Sequence, residues 1–519
     1  MSFRKKKKPM ETCLVVLLII QVFLIVLSNL VLIEQYLDCD NAKLLKHIIL
    51  MWQEKTIGIP QWTYTTTLEW DCTTLFALPL YGLTKNIYLA CTVSNLAFVL
   101  ILIRVIFFIF KDCEPLYPLL CANLICIPYR VGMLDYYNML FFAGAQYIVK
   151  ILIPLLLIGI LLFAEQKKHL GRNRSFWLYS SFYLVLLAVS SASSGVYVAA
   201  CGLVPILAVY LGYKFLKWER VSFPIFVLIG LSVLNVLMGM KVNERLMGGT
   251  RAESMVFCSV QQMLVNVSSC FFGLFELMGG NTAEPGVAVL SLDGIIMLSK
   301  CCLTVVLLVC GITAFIKCIK KQGDLRLILL LSVFIWNYFV LNITYVRAGS
   351  TTYEYRYHLM GMIPLICVAV VVILKWFRTL RMVQQKWMFV CAFSVLFIFC
   401  SLVFWELFAR GEQNASLKEL VSYMEDIEVD TVFMYDGGYD ADICRLLDED
   451  HLYLYVGDDG FTWVHDYYSK YVDTQMQTEN AIVAVLDEEY DMGDSFEIGG
   501  HSMVRYDTVG GRSLYYFAD

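Results

Sequence analysis

The chain contains 519 residues, of which 59% are hydrophobic and 16% are charged, and its mean hydropathy is +0.66. Soluble domains carry about 25% charged residues, so this composition excludes a soluble globular protein and predicts an integral membrane protein. From residue 411 onward, 25 Asp and Glu face 5 Lys and Arg, a net charge of −20 that leaves +15 for the rest. An acidic tail on a basic membrane body excludes nucleic-acid binding and predicts an outward-facing soluble domain.

Apolar runs along the chain predict a mostly α, polytopic membrane helix bundle, because a bilayer-spanning helix needs about 20 such residues. Eleven runs begin near residues 12, 87, 116, 139, 176, 196, 223, 295, 327, 359 and 388. The first is too long for a signal-peptide core and is predicted to be a retained anchor. The stretch 256–278, within the long outer loop 241–293, is interrupted by polar residues. It is predicted to be interfacial or re-entrant rather than a further span.

Basic residues recur at every second connection between these runs. They cluster at residues 4–8, 111, 167–174, 214–220, 317–326 and 375–386. Because short cytoplasmic loops retain Lys and Arg, this alternation predicts a multi-pass plasma-membrane protein whose N-terminus is inside and whose C-terminus is outside.

The first outer loop, residues 34–84, opens with two carboxylates. Asp38 and Asp40 lie at the polar boundary just after the first span, where partial desolvation can raise the basicity of a carboxylate. They are candidate general bases; the alternative is that they only cap the next helix. That helix, predicted over residues 41–52, is amphipathic and expected in the membrane interface, with His47 at its surface.

Further polar residues are candidates on the same face. Tyr64, Glu69 and Asp71 follow later in the first loop, and Asp135 lies in the short second outer loop. Lys150 falls in or near a predicted span, where an ionisable group is a functional candidate by default.

A basic and aromatic segment precedes the tenth span. Arg356 offers planar donors for a phosphate, and the tyrosines beside it, including Tyr357, offer walls for an isoprenoid or a sugar ring. The alternative is an interface belt in which Arg356 extends to the headgroups and pairs with Glu354.

The composition changes at about residue 410, which predicts a membrane body over 1–410 and a small soluble α/β domain over 411–519. Strands are predicted at 429–435, 451–456 and 481–486, helices at 417–424, 440–447 and 463–471, and a hairpin from 496–506 and 513–517.

Cysteines and histidines are not arranged as a metal site, since no CxxC or Cys/His cluster is present. Cys39 and Cys72 share one outer loop, and Cys258 and Cys270 share another. Either pair could form a disulfide in an oxidising compartment.

Two segments resemble the GT-C glycosyltransferase superfamily. The first loop carries an acidic pair, an amphipathic helix, Trp-x-Tyr-Thr-Thr-Thr-Leu-Glu at 62–69, and Leu-Pro-Leu-Tyr-Gly at 78–82 entering the second span. Arg356-Tyr357-His358, with Pro364 downstream, resembles the Arg-Tyr and proline that these enzymes carry in a late outer loop. The resemblance covers the membrane body and is closest to bacterial protein mannosyltransferases and the lipid A aminoarabinose transferase.

The resemblance implies transfer of a sugar from a polyprenyl-phosphate donor to an envelope glycan, lipid or protein acceptor at the outer face. In that family an acidic residue of the first outer loop is the base, and Asp40 or Asp38 matches it by position. A divalent metal is used by some relatives and not by others, so its participation stays open. The residues expected at the donor phosphate and sugar are Arg356, His358, Arg347, Tyr357, Glu354, Glu69 and Tyr64.

Two other functions remain as alternatives. A lipid or polysaccharide transporter would also have many spans, and Lys150 could then belong to a translocation path. An inactive GT-C relative could act as a scaffold whose tail binds envelope partners. The outer-loop position of nearly all carboxylates favours the enzyme, because transporters place polar groups near the bilayer midplane.

Overall fold

A computed structural model describes most of the chain. The described residues are 8–59, 62–64, 67–132, 135–167, 169–247, 256–280, 287–345, 355–435, 438–457, 460–465, 480–486, 490, 492–498 and 500–518. They divide into two compact units, the first within residues 1–27, 66–73 and 94–409, and the second within 28–65, 74–93 and 410–519.

The described chain is almost entirely helical as far as Ala409. Its helices are α1 (Lys8–Leu32), α2 (Cys39–Gln53), α3 (Thr74–Thr84), α4 (Ile87–Ile109), α5 (Leu116–Ile125), α6 (Tyr136–Phe141), α7 (Ile148–Glu165), α8 (Arg174–Ser194), α9 (Val204–Leu216), α10 (Phe223–Met247), α11 (Val260–Leu277), α12 (Leu292–Ile319), α13 (Leu325–Ile343), α14 (Leu359–Phe377) and α15 (Met382–Ala409). A π-helical segment, Ala199–Leu203, leads into α9, and a 3₁₀ turn, Tyr355–His358, leads into α14. Among the described residues, ten helices are long and apolar enough to cross a membrane: α1, α4, α7 to α10 and α12 to α15. The chain is therefore a multi-pass membrane protein, as its composition predicts.

The sequence predicts eleven spans, and the described residues contain ten. The predicted third span accounts for the difference. It forms α5, which has only 10 residues, and this length corresponds to about 15 Å, half of the hydrocarbon core. The run expected from residue 139 divides into the short α6 and the long α7. Ala143 and Ala145 separate them with φ angles of 46° and 39°, which no helix tolerates.

Burial identifies the centre of the first unit. Residues of α7 and α14 are buried along nearly their whole lengths, whereas α10 and α15 expose most of theirs. α8 and α10 pack closely: a Cβ added at Gly239 would lie 2.4 Å from Cβ of Ser191, so only glycine permits this approach.

The apolar stretch 256–278, within the loop 241–293, forms α11, which is not among the helices that qualify as spans. A short strand before it, β1 (Val256–Phe257), pairs antiparallel with β2 (Thr344–Tyr345) at the end of α13. This pairing joins the segment before α11 to the end of α13.

The described residues of the C-terminal part of the second unit form one seven-stranded sheet and two helices, α16 (Ala415–Met424) and α17 (Gly438–Leu447). The strands are β3 (Thr431–Tyr435), β4 (Leu452–Gly457), β5 (Gly460–His465), β6 (Ala481–Leu486), β7 (Ser495–Ile498), β8 (His501–Val509) and β9 (Arg512–Phe517), in the order β5-β4-β3-β6-β9-β8-β7. β3 is parallel to both β4 and β6, with Phe433 opposite Leu454 and Val483, and all three side chains are buried. The predicted hairpin forms as β8 and β9, but its first strand, expected over 496–506, is divided between β7 and β8, which pair antiparallel with each other.

One predicted element of this domain is wrong. Residues 463–465, expected at the start of a helix, belong to β5, which pairs antiparallel with β4. The β-branched and aromatic run from Phe461 to Val464 favours a strand beside an available sheet edge. The remainder of that predicted helix lies outside the described residues.

The amphipathic helix α2 is not exposed as an interfacial helix would be. Eleven of its fifteen residues are buried, including His47, and Lys46 Nζ donates to the carbonyl of Arg445 in α17 at 2.9 Å. Packing against α17 and α3 therefore covers its apolar face. Neither predicted cysteine pair is joined by a disulfide in this structure.

Candidate functional site

Asp38 caps α2. Its Oδ1 accepts the backbone N–H of Asn41 at 2.9 Å, and its Oδ2 accepts the amide of the same residue at 2.7 Å. The helix-capping interpretation is thus confirmed for Asp38, because the side chain satisfies a first-turn N–H that the helix leaves unpaired.

Asp40 lies two residues after Asp38, in the first turn of α2, and is half-buried. Burial, followed by the negative charges of Asp40 and Asp38, raises the pKa of the Cys39 thiol between them well above its ordinary value. This thiol therefore stays protonated at neutral pH and is a poor nucleophile.

Tyr64 belongs to a buried aromatic cluster in the second unit. The His47 ring stacks on Trp62 with centroids 4.5 Å apart, and Tyr64 meets His47 edge-on at 5.6 Å. The Tyr64 hydroxyl accepts the backbone N–H of Ile59 at 3.3 Å. These ring contacts hold the loop that carries Trp62 and Tyr64 against His47 of α2.

Asp71 is the centre of a polar cluster in the first unit. It is fully buried and accepts hydrogen bonds of 2.7 Å from each of Ser190, Ser193 and Ser194 at the end of α8. Lys150 Nζ, in the first turn of α7, lies 3.4 Å from Asp71 Oδ1 and donates to the carbonyl of Gln146. The three serines were not identified from the sequence, although the run Ser-Ser-Ala-Ser-Ser inside an apolar span was the available indication.

The same cluster holds Glu69 in an unusual backbone conformation. Glu69 is buried and has a φ of 64°, in the left-handed region that non-glycine residues rarely occupy. On either side of it, the N–H of Leu68 donates to the carbonyl of Ser193, and the N–H of Trp70 donates to the Ser193 hydroxyl. Since such strain persists only when neighbours impose it, the α8 serines fix the position of Glu69.

Asp135 lies in a second cluster of the first unit. The Tyr355 hydroxyl donates to Asp135 Oδ1 at 2.6 Å, and Arg130 Nε lies 3.2 Å from Asp135 Oδ2. The Arg130 guanidinium also faces the Tyr355 ring at 5.0 Å and donates to the carbonyl of Glu276. These contacts tie the turn before α14 to the loop that carries Asp135 and to α11.

Three of the predicted donor-binding residues share the 3₁₀ turn before α14. Arg356 and Tyr357 are half-buried, with the guanidinium carbon 5.5 Å from the Tyr357 ring. His358 is buried beside Gly273, and its Nε2 has no hydrogen-bond partner among the described residues. Arg347 and Glu354, also predicted here, lie outside the described residues.

A metal site was left open by the sequence. Within the described ranges, no three His, Cys, Asp or Glu side chains come together as ligands. The participation of a divalent ion therefore stays a prediction.

Comparisons with known proteins relate the chain to one fold. No family model matches the chain, and no curated protein sequence matches it. A crystal structure of ArnT from Cupriavidus metallidurans, bound to undecaprenyl phosphate, superposes with a TM-score of 0.53 at 10% sequence identity, covering 96% of this chain and 97% of ArnT. The chain thus has the GT-C fold that the sequence resemblance implied, a helical membrane body followed by a small C-terminal domain.

Proposed function

We propose that the chain is a GT-C membrane glycosyltransferase that moves a sugar from a polyprenyl-phosphate donor to an envelope acceptor at the outer face. The observation that carries the proposal is the fold shared over nearly the whole of both chains with a protein bound to undecaprenyl phosphate. The turn of Arg356, Tyr357 and His358 supports it, because a guanidinium beside an aromatic ring suits a lipid-linked phosphate.

Asp40 is the proposed general base. Both oxygens of Asp38 accept hydrogen bonds from Asn41, which fixes Asp38 as a helix cap. The Asp40 carboxylate removes the proton of the acceptor hydroxyl while that oxygen attacks the anomeric carbon. The bond from this carbon to the phosphate oxygen breaks, and the centre is inverted.

Arg356 is proposed to stabilise the charge that grows on the departing phosphate. His358 can add a hydrogen bond through its unpartnered Nε2, while the contacts among Tyr355, Asp135 and Arg130 hold the turn in place. Glu69 is proposed to contact the donor sugar. Tyr64 takes a supporting role, since its ring and hydroxyl are engaged within the protein.

The contacts of Lys150 argue against the transporter alternative, in which Lys150 belonged to a translocation path. Lys150 pairs with Asp71, and the carboxylate is further satisfied by three serine hydroxyls. Such a satisfied and buried cluster favours a fixed anchor over a changing translocation path.

Binding of the lipid carrier tests the proposal. In native mass spectrometry, the purified chain is expected to retain undecaprenyl phosphate, and Arg356→Gln is expected to lose most of this binding. Arg378→Gln is the matched control, because Arg378 caps the other end of α14 and pairs with the exposed Glu114. Equal retention by wild type and Arg356→Gln would remove Arg356 from the site, and no retention by wild type would contradict the proposed donor.

The acceptor and the sugar can then be identified by mass analysis of envelope glycans from cells with and without the protein. An unchanged glycan profile in a strain that lacks the protein would contradict the proposed transfer.

A further inference from the structure

A large cavity lies in the first unit where α7 and α9 end and α8 and α10 begin. Its volume is about 730 Å³. The residues of its wall that matter here are Lys167, His169, Arg172, Lys214, Arg220 and Phe223. Lys150 and Glu165 lie at opposite ends of α7, whose 18 residues span about 27 Å, so this cavity is separate from the Asp71 cluster.

The acidic residue of the wall, Glu165, is already paired with a cation, which it shares with Glu219. Lys214 Nζ lies 2.6 Å from Glu165 Oε2 and 2.8 Å from Glu219 Oε2, and the Tyr210 hydroxyl donates to Glu165 Oε1 at 2.7 Å. Both carboxylate oxygens of Glu165 therefore accept a hydrogen bond, one from Tyr210 and the other from Lys214.

Three other cations of the wall have no carboxylate partner among the described residues. Lys167, Arg172 and Arg220 make no ion pair with a described acidic residue, and all three are exposed. The first turn of α10, at Phe223, adds the positive end of its helix dipole. The cavity therefore presents an excess of positive charge and attracts an anion.

Exposed apolar side chains occur at the cavity: Phe223 lines it, and Phe215, Leu216 and Trp218 follow the wall residue Lys214 in the sequence. Phe215, Leu216, Trp218 and Phe223 are 72%, 79%, 89% and 77% exposed, and the Phe215 and Trp218 rings stack with centroids 6.0 Å apart. A site for a water-soluble anion has no need of such a surface, whereas aromatic residues at the end of a span lie at the headgroup level of a bilayer. The apolar surface therefore favours a lipid over a water-soluble anion as the ligand of this cavity.

We propose that this cavity binds the phosphate headgroup of an anionic phospholipid, with Arg172 and Arg220 contacting the phosphate and the apolar residues contacting the glycerol and acyl region. The basic loops that form it are those predicted to face the cytoplasm, where the leaflet is rich in anionic lipids. The site goes beyond the proposed sugar transfer. It would tie the connections between α7 and α8 and between α9 and α10 to the membrane surface.

Native mass spectrometry of the full chain, titrated with phosphatidylglycerol or with phosphatidylcholine of the same acyl chains, tests the proposal. Wild type is expected to prefer phosphatidylglycerol. Arg172→Gln with Arg220→Gln should weaken that binding about thirtyfold, from roughly 1 kcal/mol per basic residue. Lys217→Gln is the control, because Lys217 is exposed on the same segment but does not line the cavity.

Unchanged phosphatidylglycerol affinity in the double variant, or equal binding of the two lipids by wild type, would overturn the proposal. Complete displacement of the lipid by millimolar inorganic phosphate would also overturn it, in favour of a soluble anion. If the double variant does not elute as a folded protein, the single variants and Arg172→Lys with Arg220→Lys replace it. The lysine pair should retain most of the affinity.

Discussion

Asp71 and Lys150 form a buried ion pair 3.4 Å long between the loop before α3 and the first turn of α7. We expect Asp71→Ala to destabilise the protein strongly, by about 3–5 kcal/mol, because it leaves Lys150 buried without its counter-charge. Lys375→Met is the control: it breaks an exposed pair with Asp324, and such pairs contribute about 0–1 kcal/mol. Thermal unfolding in detergent, followed by size-exclusion chromatography, measures both. Equal melting temperatures for the two variants would show that the cluster is not an anchor.

The variants Asp40→Asn and Asp38→Asn should show which carboxylate acts as the general base and which only caps α2. Asparagine caps helices as well as aspartate does, so Asp38→Asn should fold and retain most of the sugar transfer. Asp40→Asn should fold as well but lose roughly 10²–10⁴-fold in rate, the usual contribution of a general base. Transfer is measured as glycan product in cells that carry each variant. Loss in Asp38→Asn alone would assign the base to Asp38, and full transfer in both would refute the assignment.

Tyr355→Phe should weaken donor binding without unfolding the protein. It removes the hydrogen bond of 2.6 Å to Asp135 but keeps the ring that faces Arg130, so the turn that carries Arg356 loosens. A loss of about 1 kcal/mol corresponds to about fivefold weaker binding of undecaprenyl phosphate. Tyr179→Phe is a comparison on α8, since among the described residues the Tyr179 hydroxyl makes only a long contact of 3.5 Å, to Arg104, and the variant keeps the ring that stacks on Phe108. Equal affinities for the two variants would exclude a positioning role for Tyr355.

Asp448 should make the C-terminal sheet sensitive to acid. Burial alone would raise its pKa, but hydrogen bonds from Tyr453, from the backbone of Asp450 and from His451 lower the pKa below its ordinary value. A carboxyl whose folded pKa is lowered stabilises the fold above its unfolded pKa, about 4, and this contribution is lost as the pH falls through the folded pKa.

Asp448→Asn should therefore lower stability by about 1.5–3 kcal/mol at pH 7, with the difference from wild type vanishing at low pH. Hydrogen exchange of peptides covering residues 440–457, compared between variant and wild type at each pH, measures it. The exposed Asp450 supplies the control Asp450→Asn. A difference that persists at low pH would contradict the charge-based explanation.

The C-terminal domain should face away from the cytoplasm. The last basic cluster, at residues 375–386, lies between α14 and α15, and α15 then carries the chain to the opposite side of the membrane. Alkaline phosphatase fused to the C-terminus should be active, whereas a fusion after residue 380 should not. The reverse pattern would refute the predicted orientation.

Sequence alone determined the properties that depend on local composition. The apolar runs, the basic loops, the acidic tail and most of its strands follow from hydrophobic length and periodicity, and even the cap at Asp38 involves residues three apart. Only the tertiary structure decided which distant side chains meet. Asp71 and Ser193 are separated by 122 positions, Asp135 and Tyr355 by 220, and the burial of α2 depends on α17 from the other end of the chain. Such partners are chosen by how helices pack, and periodicity gives the buried face of a helix without naming what covers it.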